Sequence, residues 1–247
     1  PLHRPVLQGD IEFKDVSFTY PRQQVPALDR VSFKISAGEK VGIIGRIGSG
    51  KTTIEKLILN LYGASEGKVL IDGTEISQMD PANLRKNIAY VPQDITLFYG
   101  TVKDNIVLTA PFADDASILK SARISGVTEF VSKHPQGFDM QVGERGEKLS
   151  GGQRQAIAVA RSLILDPPIL VFDEPSNMMD NRTEELFKNE LANYAKNKTL
   201  LLVTHKGSML SLVDRLILLD GGKIIADGPR DLVLKALAEG KLHAKST

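Results

Sequence analysis

Apolar and polar residues alternate in the first part of the chain. The alternation runs through residues 11–14 and returns at Val31, Phe33 and Ile35. A period of two is typical of strands that bury one face. We therefore expect an antiparallel pair of half-buried strands, with the turn between them in residues 21–26.

A different pattern begins at residues 41–44, a short and mostly apolar run that leads into glycines. Such a run predicts a strand buried on both faces. Beyond the glycines, Ile54, Leu57, Ile58 and Leu61 follow the spacing of one helix face. The sequence thus predicts a strand, a glycine loop and a helix in direct succession.

The middle and the end of the chain have different patterns. Residues 114–165 show helical spacing with little strand signal, whereas residues 169–220 alternate strand and helix. That order implies parallel strands joined by crossover helices. We expect an α/β protein that forms one domain over residues 1–247. The mostly parallel core and an N-terminal antiparallel β subdomain are assigned to about 10–94 and 166–240, and an α-helical subdomain to about 95–165.

Composition adds few constraints. The chain has 31 Lys and Arg against 30 Asp and Glu, and the net charge of +1 gives no general attraction to nucleic acid. We expect no nucleic-acid partner. The absence of cysteine excludes a disulfide framework and a thiolate metal site. Because no run approaches the ~18 apolar residues of a spanning helix, we expect a soluble chain. Since the chain begins at Pro1 without an initiator Met, we expect it to be a piece of a longer polypeptide.

The glycine loop has a spacing suited to phosphate. It consists of Gly45-Arg46-Ile47-Gly48-Ser49-Gly50-Lys51-Thr52. Glycines let backbone N–H groups converge on phosphate oxygens, and the following helix adds its positive dipole end. Lys51 can reach the outer phosphates of a nucleotide, and the Thr52 hydroxyl can bind Mg²⁺. The alternative is a glycine-rich turn with an incidental lysine, and the loop alone would also fit a kinase, a GTPase or a motor.

A pair of carboxylates follows another buried strand. Residues 169–172 are apolar and lead into Asp173 and Glu174. Asp173 at the strand end can bind Mg²⁺ directly or through water. Glu174 is then placed to polarise a water aimed at the terminal phosphate. The alternative is a strand end with two solvated acids.

A second glycine motif points to a family. Leu149-Ser150-Gly151-Gly152-Gln153 precedes a predicted helix and offers a second set of N–H groups. Alone, it could be a simple serine N-cap. With the loop and the carboxylates, it resembles the signature of the nucleotide-binding domain of ATP-binding cassette (ABC) proteins. The resemblance covers residues 11–237 and implies a P-loop ATPase core that uses ATP and Mg²⁺ and hydrolyses ATP to ADP and phosphate.

The resemblance assigns further roles. Tyr20 matches the aromatic that stacks on adenine, and Gln93 the glutamine that senses Mg²⁺ and the attacking water. Asp180 matches the aspartate that communicates across a dimer, and His205 the histidine that contacts the terminal phosphate. The implied nucleotide-binding residues are Tyr20, Gly45, Arg46, Ile47, Gly48, Ser49, Gly50, Lys51, Thr52, Thr53, Ser150, Gly151, Gly152, Gln153 and Asp180. The implied catalytic residues are Glu174, His205, Gln93 and Lys51, and the implied metal ligands are Thr52, Gln93 and Asp173.

Family members pair head to tail. The resemblance therefore implies a homodimer in which each ATP lies between the glycine loop of one copy and residues 150–153 of the other. This arrangement explains why one chain carries two anion-binding motifs.

Other segments resemble the exporter branch of the family. Val142-Gly143-Glu144-Arg145-Gly146 resembles the segment by which exporters touch the coupling helices of their membrane domain. Residues 45–48, 80–85, 98–101, 213–217 and 220–223 are similar to type I secretion exporters, which move unfolded proteins out of Gram-negative bacteria. The implied partners are a transmembrane domain in the same polypeptide, an exported protein and a periplasmic adaptor. The implied location is the cytoplasmic face of the bacterial inner membrane.

Two alternatives stay open. A soluble cassette ATPase that acts on nucleic acid or on an assembly would also lack a membrane segment, and a degenerate cassette would bind ATP without hydrolysing it. One stretch departs from the family pattern, since Ser176-Asn177-Met178-Met179 stands where the family has Thr and then Ser-Ala-Leu. Its side chains are bulkier and more flexible, which leaves the strength of cross-dimer signalling open.

Overall fold

The computed structural model describes residues 6–242. Residues 1–5 and 243–247 of the predicted domain lie outside this range. The strands are β1 Ile11–Phe18, β2 Leu28–Ile35, β3 Lys40–Gly45, β4 Glu66–Ile71, β5 Thr74–Glu75, β6 Ile88–Val91, β7 Ile169–Asp173, β8 Thr199–Val203, β9 Arg215–Asp220 and β10 Lys223–Pro229. The helices are α1 Lys51–Ile58, α2 Pro81–Lys86, α3 Val102–Ile106, α4 Asp115–Ser125, α5 Val127–Val131, α6 Gly151–Leu163, α7 Asn181–Tyr194 and α8 Arg230–Ala238. Short 3₁₀ turns occupy Ile76–Gln78, Gly137–Asp139, Glu144–Gly146 and Gly207–Leu212.

One sheet is antiparallel and has the strand order β2-β1-β4-β5. In the register between β1 and β2, Ile11 lies opposite Ile35 and Phe13 opposite Phe33. The two phenylalanine rings stack with their centroids 4.6 Å apart. The alternating residues are buried, and the predicted pair of half-buried strands is confirmed.

The second sheet has the order β10-β9-β3-β8-β7-β6. Strand β3 lies parallel to β8 on one side and to β9 on the other. Every residue of β7 and β8 is buried, as expected for strands covered on both faces. Strands β9 and β10 form an antiparallel hairpin. The α/β class with a mostly parallel core and an antiparallel β part is therefore as predicted.

The chain divides into two compact units. Of the described residues, the first unit contains residues 6–88, 168–171 and 197–242, and the second contains residues 89–167 and 172–196. The first unit includes the antiparallel sheet and the glycine loop. Helices α3–α7 belong to the second unit. None of the described helices is long and apolar enough to span a bilayer.

Thr199 ties the start of β8 to two distant segments of the first unit. Its fully buried hydroxyl donates to the carbonyl oxygen of Gly9 at 2.8 Å and accepts the N–H of Gly38 at 3.0 Å. Gly9 has a φ of +114°, and a Cβ there would lie 2.5 Å from the Thr199 hydroxyl. The close approach and the backbone angle both require glycine at this position.

Arg161 organises a loop of the second unit. From the last turn of α6, its guanidinium donates to the carbonyl oxygens of Asn105, at 2.8 Å, and Thr96, at 3.0 Å. It also donates to Oδ1 of Asn105 at 3.1 Å. The Asn105 amide in turn donates to the carbonyls of Phe98 and Thr101. Burial lowers the pKa of Arg161, and the carbonyl and amide oxygens compensate the desolvated charge.

Replacing Thr199 with Val keeps the volume and removes both hydrogen bonds. Because the Gly9 carbonyl and the Gly38 N–H are then left without this partner, we expect the free energy of unfolding to fall by about 1–3 kcal/mol. Urea unfolding followed by circular dichroism measures it. The matched control is Thr109→Val, at an exposed threonine. Equal midpoints for the two variants would contradict this role for Thr199.

Replacing Arg161 with Lys keeps the charge and removes the planar fork. A single ammonium group cannot reach both carbonyls in the same geometry, so we expect about 1–3 kcal/mol of lost stability. The control is Arg123→Lys on the exposed face of α4. The same urea titration distinguishes them, and an unfolding curve for Arg161→Lys that overlays the control would remove Arg161 from this role.

Candidate functional site

The glycine loop runs from the end of β3 at Gly45 to the start of α1 at Lys51. Gly48 has a φ of +80° and Gly50 a φ of +109°, a region that side chains with a Cβ rarely adopt. A Cβ on Gly50 would lie 2.8 Å from the carbonyl oxygen of Ala27. The turn from strand to helix therefore depends on glycine at these positions.

The loop fits a phosphate group. The Ser49 hydroxyl is buried, and in the described part of the chain it has no hydrogen-bond partner. A Cβ on Gly48 would meet only open space. The Lys51 ammonium folds back over the loop and donates to the carbonyls of Gly45 and Arg46. An ammonium, a hydroxyl and the N-terminal end of α1 are donors suited to an anion.

The hairpin between β9 and β10 supports the loop. The N–H of Gly222 donates to the carbonyl of Ser49 at 3.0 Å, and Arg46 pairs with Asp220 at 3.0 Å. From the sequence, residues 220–223 are expected only to resemble the exporter branch of the family. Their supporting role depends on a distant pairing for which the local sequence carries no signal.

Tyr20 lies in a cluster of aromatic residues. Its ring meets Phe18 edge to face at 4.8 Å and Tyr62 at 5.4 Å. Its hydroxyl lies 2.9 Å from Oγ1 of Thr53, and the Lys56 ammonium lies 5.3 Å from the ring centroid. Thr53 is buried, so its side chain positions the tyrosine, whereas the neighbouring Thr52 is exposed. Tyr62 and Lys56 are not among the site residues expected from the sequence.

His205 follows β8 and is exposed. Ile43 of β3 lies beside Val203 of β8 in a parallel register. The carboxyl ends of these two strands therefore meet at one edge of the sheet, so His205 leaves that edge at the same end as the glycine loop. Within the first unit, the structure thus brings together Tyr20, the glycine loop and His205.

Asp173 and Glu174 lie in the second unit, where β7 ends. Their exposed fractions are 4% and 5%. Glu174 has a φ of +47°, an uncommon angle for a residue with a side chain. Its carbonyl accepts a hydrogen bond from Nε2 of Gln155 at 3.1 Å. Strain of this kind is common at functional positions because the surrounding structure has to hold it.

The signature residues form a closed helix cap. The Ser150 hydroxyl accepts the N–H of Gln153 at 3.1 Å, and Oε1 of Gln153 accepts the N–H of Ser150 at 3.0 Å. A Cβ on Gly151 would overlap the Met178 side chain, and one on Gly152 would lie 3.0 Å from the Met178 carbonyl oxygen. The two glycines therefore allow the methionine segment to lie directly on the start of α6.

Gln155 holds the unusual segment before Asp180. The side-chain Nε2 of Gln155 donates to the Asn177 side chain, and the side-chain Oε1 of Gln155 accepts the N–H of Met178 at 2.9 Å. Asp180 caps α7 through the N–H of Thr183 at 2.8 Å. Hydrogen bonds from Thr183 hold the pKa of Asp180 below its ordinary value. The bulkier side chains of residues 177–179 therefore extend from a backbone that Gln155 holds in place. This supporting role of Gln155 is not recognisable from the sequence alone.

The remaining expected residue of this unit is Gln93, which is exposed beyond β6. Within the second unit, the structure brings residues 150–153 close to the segment that ends at Asp180.

Among the described residues, there is no group of three or more His, Asp and Glu side chains that could bind a metal ion by themselves. The expected metal ligands are Thr52 in the first unit and Gln93 and Asp173 in the second.

Comparison with known proteins identifies the family. Residues 28–177 match the family model for the ABC transporter. The cyclolysin secretion/processing ATP-binding protein CyaB of Bordetella pertussis is 39% identical over 241 residues, which cover 98% of this chain and 33% of that protein. The alpha-hemolysin translocation ATP-binding protein HlyB of Escherichia coli O157:H7 is 38% identical over 94% of this chain and 33% of its own length. This chain thus spans about a third of the length of these relatives.

A solved structure agrees with the sequence comparison. A bacterial Atm1-family ABC exporter with ATP bound has a TM-score of 0.89 and 34% sequence identity. The match covers 98% of this chain and 43% of that one. The glycine loop, the signature cap and these similarities together show that the chain belongs to the ABC transporter family.

Proposed function

We propose that this chain is the ATP-hydrolysing domain of an exporter, and that two copies work as a pair. The observation that carries the proposal is the presence, in one chain, of a phosphate-binding loop and a separate signature cap. Membership of the ABC family supports ATP as the ligand of the loop. Relatives named as secretion, export and translocation ATP-binding proteins support export as the process that is driven.

The loop residues bind and orient the phosphates. Lys51 leaves the carbonyls of Gly45 and Arg46 when a more negative partner, the outer phosphates of ATP, enters the loop. The Ser49 hydroxyl gains a partner in the same event, which offsets the cost of its burial. Tyr20, held by its aromatic neighbours, offers a ring for the adenine.

Mg²⁺ would be held by Thr52, Asp173 and Gln93, and when bound it would neutralise phosphate charge. The hydroxyl, carboxylate and amide oxygens of these side chains are the ligands that Mg²⁺ prefers. Their assignment is supported by the chemistry of the side chains and by the family resemblance.

Glu174 is the proposed base. Its carboxylate accepts a proton from the attacking water or orients that water for attack on the terminal phosphate. The burial of Glu174 and its strained backbone fix the position from which its side chain extends. His205 donates to the terminal phosphate, and Ser150 of the second copy donates from the opposite side, so that both stabilise charge that shifts during transfer.

The proposed partner beyond the second copy is a transmembrane domain. The chain spans about a third of the length of CyaB and HlyB, which leaves room for such a domain in a longer protein. The names of three relatives refer to the secretion, export or translocation of cyclolysin, leukotoxin and alpha-hemolysin. They support a type I secretion system with an unfolded protein as cargo, a periplasmic adaptor as a further partner, and the inner face of the bacterial inner membrane as location.

Replacing Glu174 with Gln tests the base. The amide cannot accept the proton, so we expect hydrolysis to fall by about 10²–10⁴-fold. ATP binding should persist, and light scattering should detect an ATP-dependent dimer. The control is Glu185→Gln, at an exposed glutamate on α7 that should keep the parent rate. Phosphate release by Glu174→Gln at the parent rate would exclude Glu174 as the base.

Mixing two inactive variants tests the shared site. Lys51→Ala removes the loop lysine, and Ser150→Arg blocks the signature, so each homodimer should be inactive. A mixed dimer keeps one intact site, and random pairing should restore roughly a quarter of the parent sites. The control mixture pairs Lys51→Ala with the Lys51→Ala/Ser150→Arg double variant, in which no intact site can form. Recovery no greater than in that control would contradict a site made from two copies.

A further inference from the structure

The turn that follows Glu174 is held from two sides by side chains of the second unit. On one side, the Ser176 hydroxyl donates to Oε2 of Glu184 on α7 at 2.8 Å, and both side chains are buried. On the other side lies Gln155 of α6, whose exposed fraction is only 2%. Side chains from two helices therefore constrain the backbone of residues 174–178.

Gln155 uses every hydrogen-bonding group of its side chain on this turn. Its Nε2 donates to the carbonyl oxygen of Glu174 at 3.1 Å and to the Asn177 side chain, and its Oε1 accepts the N–H of Met178 at 2.9 Å. The rotamer of Gln155 is fixed by these bonds. Glu174 has a φ of +47°, which persists only where neighbouring groups hold it. Gln155 thus holds the backbone of the strained residue itself.

Gln155 belongs to the helix whose first residues form the signature cap. Ser150 is the N-cap of α6, and Gln155 lies in the second turn of this helix. In the shared site proposed above, Ser150 donates to the ATP that is bound by the glycine loop of the other copy. Glu174 acts instead on the ATP of its own copy. By its helix, Gln155 is therefore associated with one ATP, and by its hydrogen bonds with the other.

We propose that Gln155 is a positioning residue for Glu174 and serves the ATP site of its own glycine loop. The proposal rests on the shared site and on the base proposed above. An error of about 1 Å in the position of a reacting group can reduce a rate by about 100-fold. A rotation of the Glu174 backbone would displace the carboxylate in this way. The hydrogen bond to the Glu174 carbonyl opposes the rotation, and the bonds to Asn177 and Met178 hold the chain that follows.

Replacing Gln155 with Met keeps an unbranched side chain of similar volume and removes all three hydrogen bonds. A displaced base still allows ATP to bind, so we expect kcat to fall by about 10- to 100-fold and KM for ATP to change by less than about threefold. Phosphate release at varied ATP concentration measures both. The control is Gln136→Met, at an exposed glutamine of the same unit. An unchanged kcat, or a loss that falls mainly on KM, would overturn the positioning role.

A double variant tests whether Gln155 acts through Glu174. In the Glu174→Gln background the proposed base is already lost, so adding Gln155→Met should change the residual rate by less than about twofold. Two losses that multiply would reveal general damage or a separate effect, and either would contradict the proposal. If Glu174→Gln itself hydrolyses ATP at the parent rate, the base and its positioning residue fail together.

Mixed dimers show which of the two sites depends on Gln155. When Ser150→Arg and Lys51→Ala chains pair, the working site takes its glycine loop and base from the Ser150→Arg chain and its signature from the other. Gln155→Met in the Ser150→Arg chain should lower the recovered rate by about 10-fold or more. The same change in the Lys51→Ala chain should have a clearly smaller effect, because the Glu174 of that chain serves no working site.

The outcomes separate this proposal from the shared site. Equal losses in the two arrangements, or a greater loss in the Lys51→Ala chain, would assign Gln155 to the signature and overturn the proposal. If the mixture recovers no activity even with Gln155 intact, the shared site fails. The double variant with Glu174→Gln then still decides whether Gln155 acts through the base.

Discussion

The turn between β3 and α1 is the constraint on which the site depends. A chain that leaves a buried strand and enters a helix within a few residues can point its N–H groups toward an anion only if positive φ angles are allowed. Gly48 and Gly50 supply these angles, and the β9–β10 hairpin supports the loop from outside through Gly222 and Asp220. The core strands place this loop, and among the described residues the buried Ser49 hydroxyl has no hydrogen-bond partner, so it is available to an anion.

The second unit meets a comparable constraint in another way. Its signature helix begins with a closed cap between Ser150 and Gln153, and glycine at the next two positions lets the segment around Met178 lie against it. Gln155 then fixes that segment. The two surfaces proposed to face each other across ATP are therefore both rigid. Rigid surfaces lose little conformational freedom on pairing, which favours an association controlled by the nucleotide.

Much of the fold follows from local pattern. The period-two alternation identified β1 and β2, and the apolar runs identified β3 and β7, because burial on one face or on both leaves a direct trace in the sequence. The loop glycines and the acids at the end of β7 were recognisable because their chemistry requires specific residues at fixed spacing. The supports were not recognisable. Asp220 and Gly222 act through pairing with residues some 170 positions away, and the positions of Tyr62, Lys56 and Gln155 depend on tertiary packing, for which no local periodicity exists.

We propose that one chain holds only half of each hydrolytic site. The dependence of the hydrolysis rate on protein concentration tests it most directly, with Mg²⁺ and saturating ATP. If two copies build each site, phosphate release per chain should rise steeply at low concentration and level off once the dimer is fully formed. A rate per chain that stays constant from nanomolar to micromolar protein, with the chain shown by light scattering to be a monomer throughout, would contradict the account.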